Sequence, residues 1–254
     1  MSTSEHQWDP GKYLEFGDER TRPFIDLLAR IPVVDPATIV DLGCGPGNDV
    51  PPLQRRWPGA ALRGVDSSPE MIERARAAAP GVEFEVGDLA KWHGSADLVV
   101  SNATLQWVAG HRALLPRLAD AALRAFAFQV PGNFIAPSHV LLREIGARFG
   151  ITDVRPLEVA TASEYLADLA RPGWTVDAWE TTYCHVLLGP DAVFEWVSGT
   201  GARPYLQALS DADRPAFVEQ YKAALREAYP QSEIGGEPVT VLPFRRIFAV
   251  AVRT

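Results

Sequence analysis

The fold is decided by the stretch Ile39-Val40-Asp41-Leu42-Gly43-Cys44-Gly45-Pro46-Gly47-Asn48, in which an apolar run ends and three glycines follow at a spacing of two. The apolar residues before Gly43 are typical of a buried strand in a parallel sheet. The glycines lack a Cβ atom, so they permit a tight turn whose backbone can approach a ligand closely. Residues 49–57 have the pattern of a helix. The stretch therefore predicts a strand, a turn and a helix, with a nucleotide-like ligand at the carboxyl end of the strand.

Strands and helices alternate along most of the chain, which predicts an α/β fold with a doubly wound, mostly parallel, seven-stranded sheet. The predicted strands are 37–42, 60–65, 82–86, 96–100, 125–130, 174–183 and 244–252. The predicted helices are 19–30, 49–57, 69–79, 111–124, 137–148, 162–170, 191–198 and 211–228. We expect one domain over residues 1–254. In it, residues 1–30 would cover the site, and residues 189–230 would form a helical lid without a core of its own.

The composition of the chain argues against several classes of function. The chain has 254 residues, 47% of them apolar, and a net charge of −8, which disfavours nucleic-acid binding. No apolar run reaches the roughly 18 residues that span a bilayer, so we expect no membrane association. Two cysteines, Cys44 and Cys184, do not make a disulfide framework, and no grouping has metal-ligand spacing. We expect a cytoplasmic monomer or homodimer without a metal.

The acid before the glycines indicates which cofactor binds. Nicotinamide enzymes use G-x-G-x-x-G, whereas Asn48 stands here in place of the last glycine. Asp41 would repel a pyrophosphate, but its carboxylate suits the cationic amino-acid tail of S-adenosylmethionine. These two residues favour S-adenosylmethionine over NAD.

Three later strand ends also carry groups that suit this cofactor. Asp66, 23 residues after Gly43, can accept both ribose hydroxyls, although NAD enzymes share this feature. Asp88 can accept from an adenine amino group, and residues 101–107 offer small polar groups and a flat aromatic. Each has an ordinary alternative: Asp66 as a helix-capping acid, Asp88 as a turn residue and Trp107 as a core aromatic. The predicted cofactor-binding residues are Asp41, Gly43, Gly45, Gly47, Asn48, Asp66, Ser67, Asp88, Leu89, Asn102, Ala103 and Trp107.

Several segments together resemble a known family. Residues 40–48, 66–71 and 101–108 resemble the class I S-adenosylmethionine-dependent methyltransferases, which have a Rossmann-like sheet. More narrowly, the chain is similar to the trans-aconitate methyltransferase family. The segments specific to that family are 129–133, 137–139, 179–183, 199–204 (Gly-Thr-Gly-Ala-Arg-Pro) and 243–248 (Pro-Phe-Arg-Arg-Ile-Phe).

The resemblance implies methyl transfer to a carboxylate of trans-aconitate, which gives a monomethyl ester. A carboxylate is ionised at pH 7, so no general base is needed. We therefore expect no dedicated catalytic residue, and positioning by Trp107 and Tyr183. A trianionic substrate requires cations. Adjacent arginines on a strand face opposite ways, so at most one of Arg245 and Arg246 should reach it. The predicted substrate-binding residues are Tyr13, Arg22, Tyr183, His185, Arg203 and Arg245.

Three alternatives stay open at this point. The chain could methylate a different small molecule on oxygen, nitrogen or carbon. It could be an NAD-dependent oxidoreductase, or a protein that binds S-adenosylmethionine without catalysis. One departure from the family also needs an explanation, because helix 111–124 is followed at once by strand 125–130 without the usual glycine turn. Either the connection is unusual or loop residues are missing, since we expect a helix not to pass directly into a strand.

Overall fold

A computed structural model of the protein describes residues 17–152, 154 and 159–254. Within them the chain forms one mixed sheet with helices between its strands. The strands are β1 Thr38–Leu42, β2 Ala61–Asp66, β3 Glu83–Val86, β4 Ala96–Asn102, β5 Ala122–Pro131, β6 Trp174–Leu188, β7 Ser232–Ile234 and β8 Glu237–Arg253. The α-helices are α1 Gly17–Ala29, α2 Val50–Arg56, α3 Pro69–Ala78, α4 Leu115–Ala121, α5 Pro137–Arg148, α6 Ala162–Leu169, α7 Ala192–Ser198, α8 Arg203–Ala208 and α9 Arg214–Ala228.

The sheet confirms the predicted α/β architecture. Seven strands follow the order β3-β2-β1-β4-β5-β8-β6, and the short β7 pairs with β8. The pairs among β1 to β5 are parallel, whereas β8 is antiparallel to β5. Because the chain moves outward from β1 to β3 and then returns to β4 beside β1, the strand order reverses between β1 and β4. Open α/β sheets bind ligands at such a switch point.

Burial explains why the inner strands form. In β1 and β4 nearly every residue is buried, as in parallel strands that are covered on both faces. Helix α3 begins at Pro69, where the sequence predicts it. Ser68 caps α3 by accepting from the backbone N–H of Met71 at 3.3 Å, and Pro69 takes the first helical position.

The prediction of one helix over 111–124 was wrong. Residues His111–Leu114 form a 3₁₀ turn, α4 ends at Ala121, and Ala122 already has extended angles (φ −84°, ψ 117°) as the first residue of β5. The expected connection is therefore absent, and the helix does pass directly into the strand. The register of β4 against β5 shifts between Ala96 and Leu98, which accommodates the abrupt entry.

The late elements also differ from expectation. Strand β8 begins at Glu237, ahead of the predicted start, because a two-residue Gly235-Gly236 turn joins it to the unpredicted β7. Both glycines have positive φ, 66° and 85°, as hairpin turns of this length require. The predicted helix over 211–228 corresponds to α9. The structure has one further helix before it, α8, which the sequence analysis did not predict.

The chain divides into two compact units. The first, which we call the sheet unit, contains residues 20–131, 159–181 and 246–254. The second, the helical unit, contains residues 17–19, 132–152, 154 and 182–245. The helical unit has a hydrophobic cluster of its own, which the sequence did not lead us to expect; it includes Leu142, Trp196, Phe217, Tyr221 and Leu225. Among the residues placed by the structure, no helix is long and apolar enough to cross a membrane.

Candidate functional site

The glycine turn connects β1 to α2 at the switch point of the sheet unit. Gly43, Gly45 and Gly47 have φ angles of +83°, +53° and +87°, which side chains with a Cβ rarely tolerate. A Cβ on Gly43 would lie 2.1 Å from Thr104 Cγ2, and the Thr104 hydroxyl donates to the Gly43 carbonyl at 3.1 Å. The turn after β1 is therefore held against the loop after β4.

Asp41, the fourth residue of β1, is a buried acid. Its side chain is 3% exposed, and within the described part of the chain neither carboxylate oxygen has a hydrogen-bond partner. Burial raises its pKa well above the usual range, and the negative charges of Asp49 and Asp66 raise the pKa further. A buried carboxylate is stable only as the neutral acid or beside a positive charge. The site thus fits a cationic group of a ligand.

A second buried acid, Asp49, lies at the end of the turn. It precedes α2 in the N-cap position, yet its side chain makes no capping bond. Both of its carboxylate oxygens instead accept from Nδ2 of Asn102, at 3.0 Å each. Burial raises the pKa of Asp49 to about 7, although the bond from Asn102 acts to lower it. The sequence analysis selected Asn102 but missed Asp49, because an acid before a helix is ordinarily a cap.

Two more side chains extend this contact through the sheet unit. Gln129 donates from Nε2 to Oδ1 of Asn102, and Arg246 donates from Nη1 to Oε1 of Gln129 at 3.4 Å. Arg246 and Gln129 are both buried, at 6% and 1% exposure. We call these four residues, Asp49, Asn102, Gln129 and Arg246, the polar chain.

Asp66, at the end of β2, links the turn to α3. Its Oδ2 accepts from the backbone N–H of Gly45 at 2.9 Å, and its Oδ1 accepts from that of Ser68 at 2.9 Å. The alternative of Asp66 as a helix cap is therefore wrong, because Ser68 caps α3 and Asp66 bonds only the N–H of that cap residue. A carboxylate has about four acceptor positions, so these bonds leave capacity for a ligand hydroxyl. Ser67 beside it is exposed.

Asp88, after β3, has the turn role that the sequence left open. Its Oδ1 accepts from the backbone N–H of Ala90 at 2.8 Å, which caps a short 3₁₀ turn, and the residue is exposed. Leu89 is buried in the hydrophobic cluster of the sheet unit. A contact of either residue with adenine stays a prediction.

The loop after β4 carries the remaining predicted cofactor residues. Ala103 has a φ of +50°, a strained conformation for a residue with a Cβ, and such strain concentrates at functional sites. Its N–H donates to the Gln129 carbonyl at 2.9 Å. Trp107 is 39% exposed, so it is not the core aromatic of the alternative interpretation. Asn48, in the glycine turn, is exposed as well.

The turn also contains a thiol. Cys44 is 4% exposed and packs with Val50, Ile72 and Phe84. Burial raises the pKa of this thiol, and the charges of the three acids around the turn raise it further. Cys184, in β6, is exposed, and neither cysteine forms a disulfide.

The predicted substrate residues are spread over both units. Arg22 is exposed on α1 in the sheet unit, while Tyr13 lies outside the described residues. The other four belong to the helical unit: Tyr183, His185, Arg203 and Arg245. Their roles stay predictions.

Two of the residues in the helical unit have clear local settings. His185 is 6% exposed and stacks on Trp196 with ring centroids 4.4 Å apart, which favours the structural interpretation of this histidine. Arg245 donates its backbone N–H to Oδ1 of Asn133 at 2.7 Å, and its Nη1 lies 3.5 Å from the Gly132 carbonyl. Arg246 donates from Nη1 to Oε1 of Gln129. Which of the two arginines reaches a substrate stays a prediction.

Comparison with known proteins gives consistent results. Residues 39–124 match the profile of a methyltransferase domain family. The trans-aconitate 2-methyltransferase of Streptomyces avermitilis is 48% identical and aligns with 99% of this chain and 98% of its own. Those of Methylobacterium nodulans and Escherichia coli O17:K52:H18 are 46% and 40% identical, each over 97% of this chain and 98% of theirs.

Solved structures share the fold at low sequence identity. The YcgJ protein of Bacillus subtilis matches 92% of this chain and 98% of its own, with a TM-score of 0.57 and 13% identity. The plantazolicin methyltransferase BpumL, solved in complex with SAH, matches 96% of this chain and 90% of its own, with a TM-score of 0.51 and 13% identity. These similarities show that the chain shares the overall fold of these two proteins.

Proposed function

Because the chain belongs to the trans-aconitate 2-methyltransferase family, we propose that it transfers a methyl group from S-adenosylmethionine to a carboxylate of trans-aconitate and forms the monomethyl ester. The chain is a methyltransferase. The acceptor is supported by identities of 40–48% to relatives of that name over almost their whole length. That full-length match is the observation that carries the proposal.

The sheet unit has residues that suit the cofactor. When bound, S-adenosylmethionine supplies a methyl group on a positively charged sulfur. Asp41, which is buried and has no hydrogen-bond partner among the residues that the structure describes, would face the cationic part of this molecule. The turn at Gly43 and Gly45 offers backbone without Cβ atoms. Asp66 has acceptor capacity for the ribose hydroxyls, and Asp88 and Leu89 would adjoin the adenine. Asn102, Ala103 and Trp107 would adjoin the reacting methyl group.

The chemistry demands positioning more than proton transfer. The acceptor oxygen is already negative at neutral pH, so a general base has nothing to remove. Correct placement of two reactants can supply about 7–11 kcal/mol of the barrier reduction. In the proposal, Arg22, Arg203 and Arg245 neutralise the trianion and Tyr13, Tyr183 and His185 line its site. Trp107 and Tyr183 orient the reacting groups and exclude water.

The direct test is incubation of the protein with labelled S-adenosylmethionine and a panel of di- and tricarboxylates, with the product mass measured. We expect one methyl ester on trans-aconitate and slower reaction with dicarboxylates. Label that appears only on an amine or hydroxyl acceptor would replace the proposal with the alternative of a different small-molecule methyltransferase.

Arginine variants test the substrate site separately. Arg203→Ala and Arg245→Ala should raise KM for trans-aconitate far more than KM for a monocarboxylate, because fewer charges are then neutralised. Arg214→Ala, at the start of α9, is a matched control in the same unit and should leave both values unchanged. Equal effects of the first two variants on both acceptors would show that these arginines are structural.

A further inference from the structure

The loop after β4 is joined to the glycine turn by the side chain of one threonine. The Oγ1 atom of Thr104 lies 3.1 Å from the carbonyl oxygen of Gly43 and 3.1 Å from that of Asn102. A hydroxyl has one hydrogen, so Thr104 shares it between the two carbonyls. Gly43 follows the last residue of β1, and Asn102 is the last residue of β4. Thr104 therefore holds together the two strand ends at which the cofactor is proposed to bind.

The contact between the turn and the loop is tight. A Cβ on Gly43 would lie 2.1 Å from Cγ2 and 2.2 Å from Oγ1 of Thr104, so the position opposite Thr104 admits no side chain. Gly43 is also held on its other side, because its N–H donates to the Val65 carbonyl at 2.7 Å. The spacing between the two segments is thus set by the Thr104 side chain.

Ala103, between Asn102 and Thr104, is held in its unusual conformation from both sides. Its φ of +50° is unfavourable for a residue with a Cβ atom. Its N–H donates to the carbonyl of Gln129, a member of the polar chain, and its own carbonyl accepts from Nε2 of Gln106. Gln106 is 3% exposed, so solvent has little access to this bond. Strained backbone persists only where its surroundings fix it, and the two glutamines do so here.

We propose that Thr104 and Gln106 are positioning residues for methyl transfer. Together they fix residues 102–103 against the glycine turn, so that the two segments beside the cofactor keep one spacing. This inference rests on the proposed function, in which Asn102 and Ala103 would adjoin the reacting methyl group. Thr104 and Gln106 act through these neighbours and have no assigned contact with cofactor or substrate.

The physical reason is that the rate and the affinity depend on spacing to different degrees. Methyl transfer requires the acceptor oxygen, the methyl carbon and the sulfur in line, and a misplacement of about 1 Å can cost roughly a hundredfold in rate. In the proposed complex, the cofactor is bound chiefly by Asp41, Asp66 and the glycine turn, which stay in place when the loop after β4 shifts slightly. Loss of the Thr104 bond should therefore lower turnover more than affinity.

Two substitutions of Thr104 test this expectation. Thr104→Val removes the hydroxyl and keeps the branched shape of the side chain. We expect kcat with trans-aconitate to fall by roughly tenfold to a hundredfold, the cost of a small misplacement. The affinity for S-adenosylmethionine, measured by calorimetry, should keep its wild-type value. Thr104→Ser keeps the hydroxyl and loses only the methyl group, so it should restore most of the rate.

Thr38→Val is the matched control. Thr38 is the first residue of β1, and its Oγ1 accepts from the backbone N–H of Asp97 in β4 at 2.9 Å. It thus joins the same two strands at their opposite ends, away from the glycine turn. We expect Thr38→Val to lower the urea concentration of unfolding and to leave kcat unchanged.

Gln106→Met tests the second positioning residue. Methionine has about the length of glutamine but cannot donate to the Ala103 carbonyl, so kcat should fall by about tenfold. Because Thr104 and Gln106 fix the same stretch of backbone, the losses should not be independent. The double variant Thr104→Val/Gln106→Met should lose less rate than the product of the two single losses.

The outcomes are distinguishable. Wild-type kcat in Thr104→Val, or equal losses of rate in Thr104→Val and Thr38→Val, would overturn the inference and leave the proposed function intact. Wild-type kcat in Gln106→Met would remove Gln106 from it, and this variant also tests the loop if Thr104→Val does not fold. Failure of the wild type to bind S-adenosylmethionine would overturn the proposed function and this inference with it.

Discussion

Asp49 in the sheet unit and Asp191 in the helical unit are both largely covered acids before a helix, yet their surroundings differ. Asp191 accepts from Arg226 Nε at 2.8 Å, and its Oδ2 lies 3.0 Å from Lys222 Nζ. Burial acts to raise the pKa of Asp191, but the two cations outweigh it and the pKa is lowered. Within the described residues, the carboxylate of Asp49 accepts hydrogen bonds from the amide of Asn102, and burial raises its pKa to about 7.

The comparison separates an acid that stabilises the fold from an acid that is available to a ligand. An acid whose charge is already matched stabilises the fold and has little to offer a ligand. An acid that is buried without a matching cation costs stability, and such an acid is suited to a positively charged ligand. Asp41, with no hydrogen-bond partner among the described residues, belongs with Asp49 in this respect.

The largest expected effect is on the pH dependence of stability without ligand. Asp49 has a folded pKa above its ordinary value of 3.8, so the folded state binds more protons than the unfolded state between about pH 4 and pH 7. The free energy of unfolding should therefore fall by about 2–3 kcal/mol from pH 5 to pH 8. Asp191 has a lowered pKa, so its contribution is complete above pH 4 and is lost only in acid.

Urea titrations across that pH range measure this slope. Asp49→Asn should reduce it, with the remainder due to Asp41, whose pKa is also raised, and Asp191→Asn should keep it. A slope that is the same in all three proteins would remove the distinction between the two acids.

The next effect is on ligand affinity. Asp41→Asn should weaken binding of S-adenosylmethionine about a hundredfold, or about 2.7 kcal/mol, because a buried negative charge facing a cationic ligand is lost. The same variant should unfold at a higher urea concentration at pH 8, since the uncompensated charge is gone. Calorimetry measures the predicted loss of affinity, and urea titration measures the predicted gain in stability. Unchanged affinity would leave Asp41 as a structural acid.

Asp191→Asn should have the opposite effects on stability and on affinity. It should lower the free energy of unfolding by about 1–2 kcal/mol, between the values typical of exposed and buried ion pairs, because Lys222 and Arg226 lose their shared partner. Affinity for S-adenosylmethionine should not change. A loss of affinity without a loss of stability would reverse the assignment of the two acids.

The smallest of these effects concerns Asp66. Asp66→Ala should weaken S-adenosylmethionine binding at least tenfold, about 1.4 kcal/mol, through loss of acceptors for the ribose and of the bond that holds Gly45. Adenine alone provides the control, because it has no ribose and its weak binding should be less affected. Unchanged affinity for the whole cofactor would remove the ribose assignment.

The sequence predicts the first half of the sheet well, because buried parallel strands and Pro or Ser helix starts are local patterns. It does not predict the junction of Ala121 and Ala122, where the fold depends on a register shift in the neighbouring strand. It also misses β7, although Gly235-Gly236 carries the signal of a hairpin.

The residues of the site also divide into those that a local sequence pattern predicts and those that depend on distant parts of the chain. Asp41 and the glycines are predictable, since their chemistry is contained in one short motif. The role of Asp49 is not, because it depends on Asn102 and Gln129, which are 53 and 80 residues away along the chain and meet it only after the sheet has formed. Sequence patterns place an acid at a helix start, but they do not say which way its carboxylate points.

The buried thiol of Cys44 has a consequence for the durability of such an enzyme. Thiolates are the nucleophilic form of cysteine, and S-adenosylmethionine is an alkylating agent. Burial and three nearby acids keep this sulfur protonated. In the proposed complex with S-adenosylmethionine, this cysteine would lie beside an electrophile in its unreactive, protonated form.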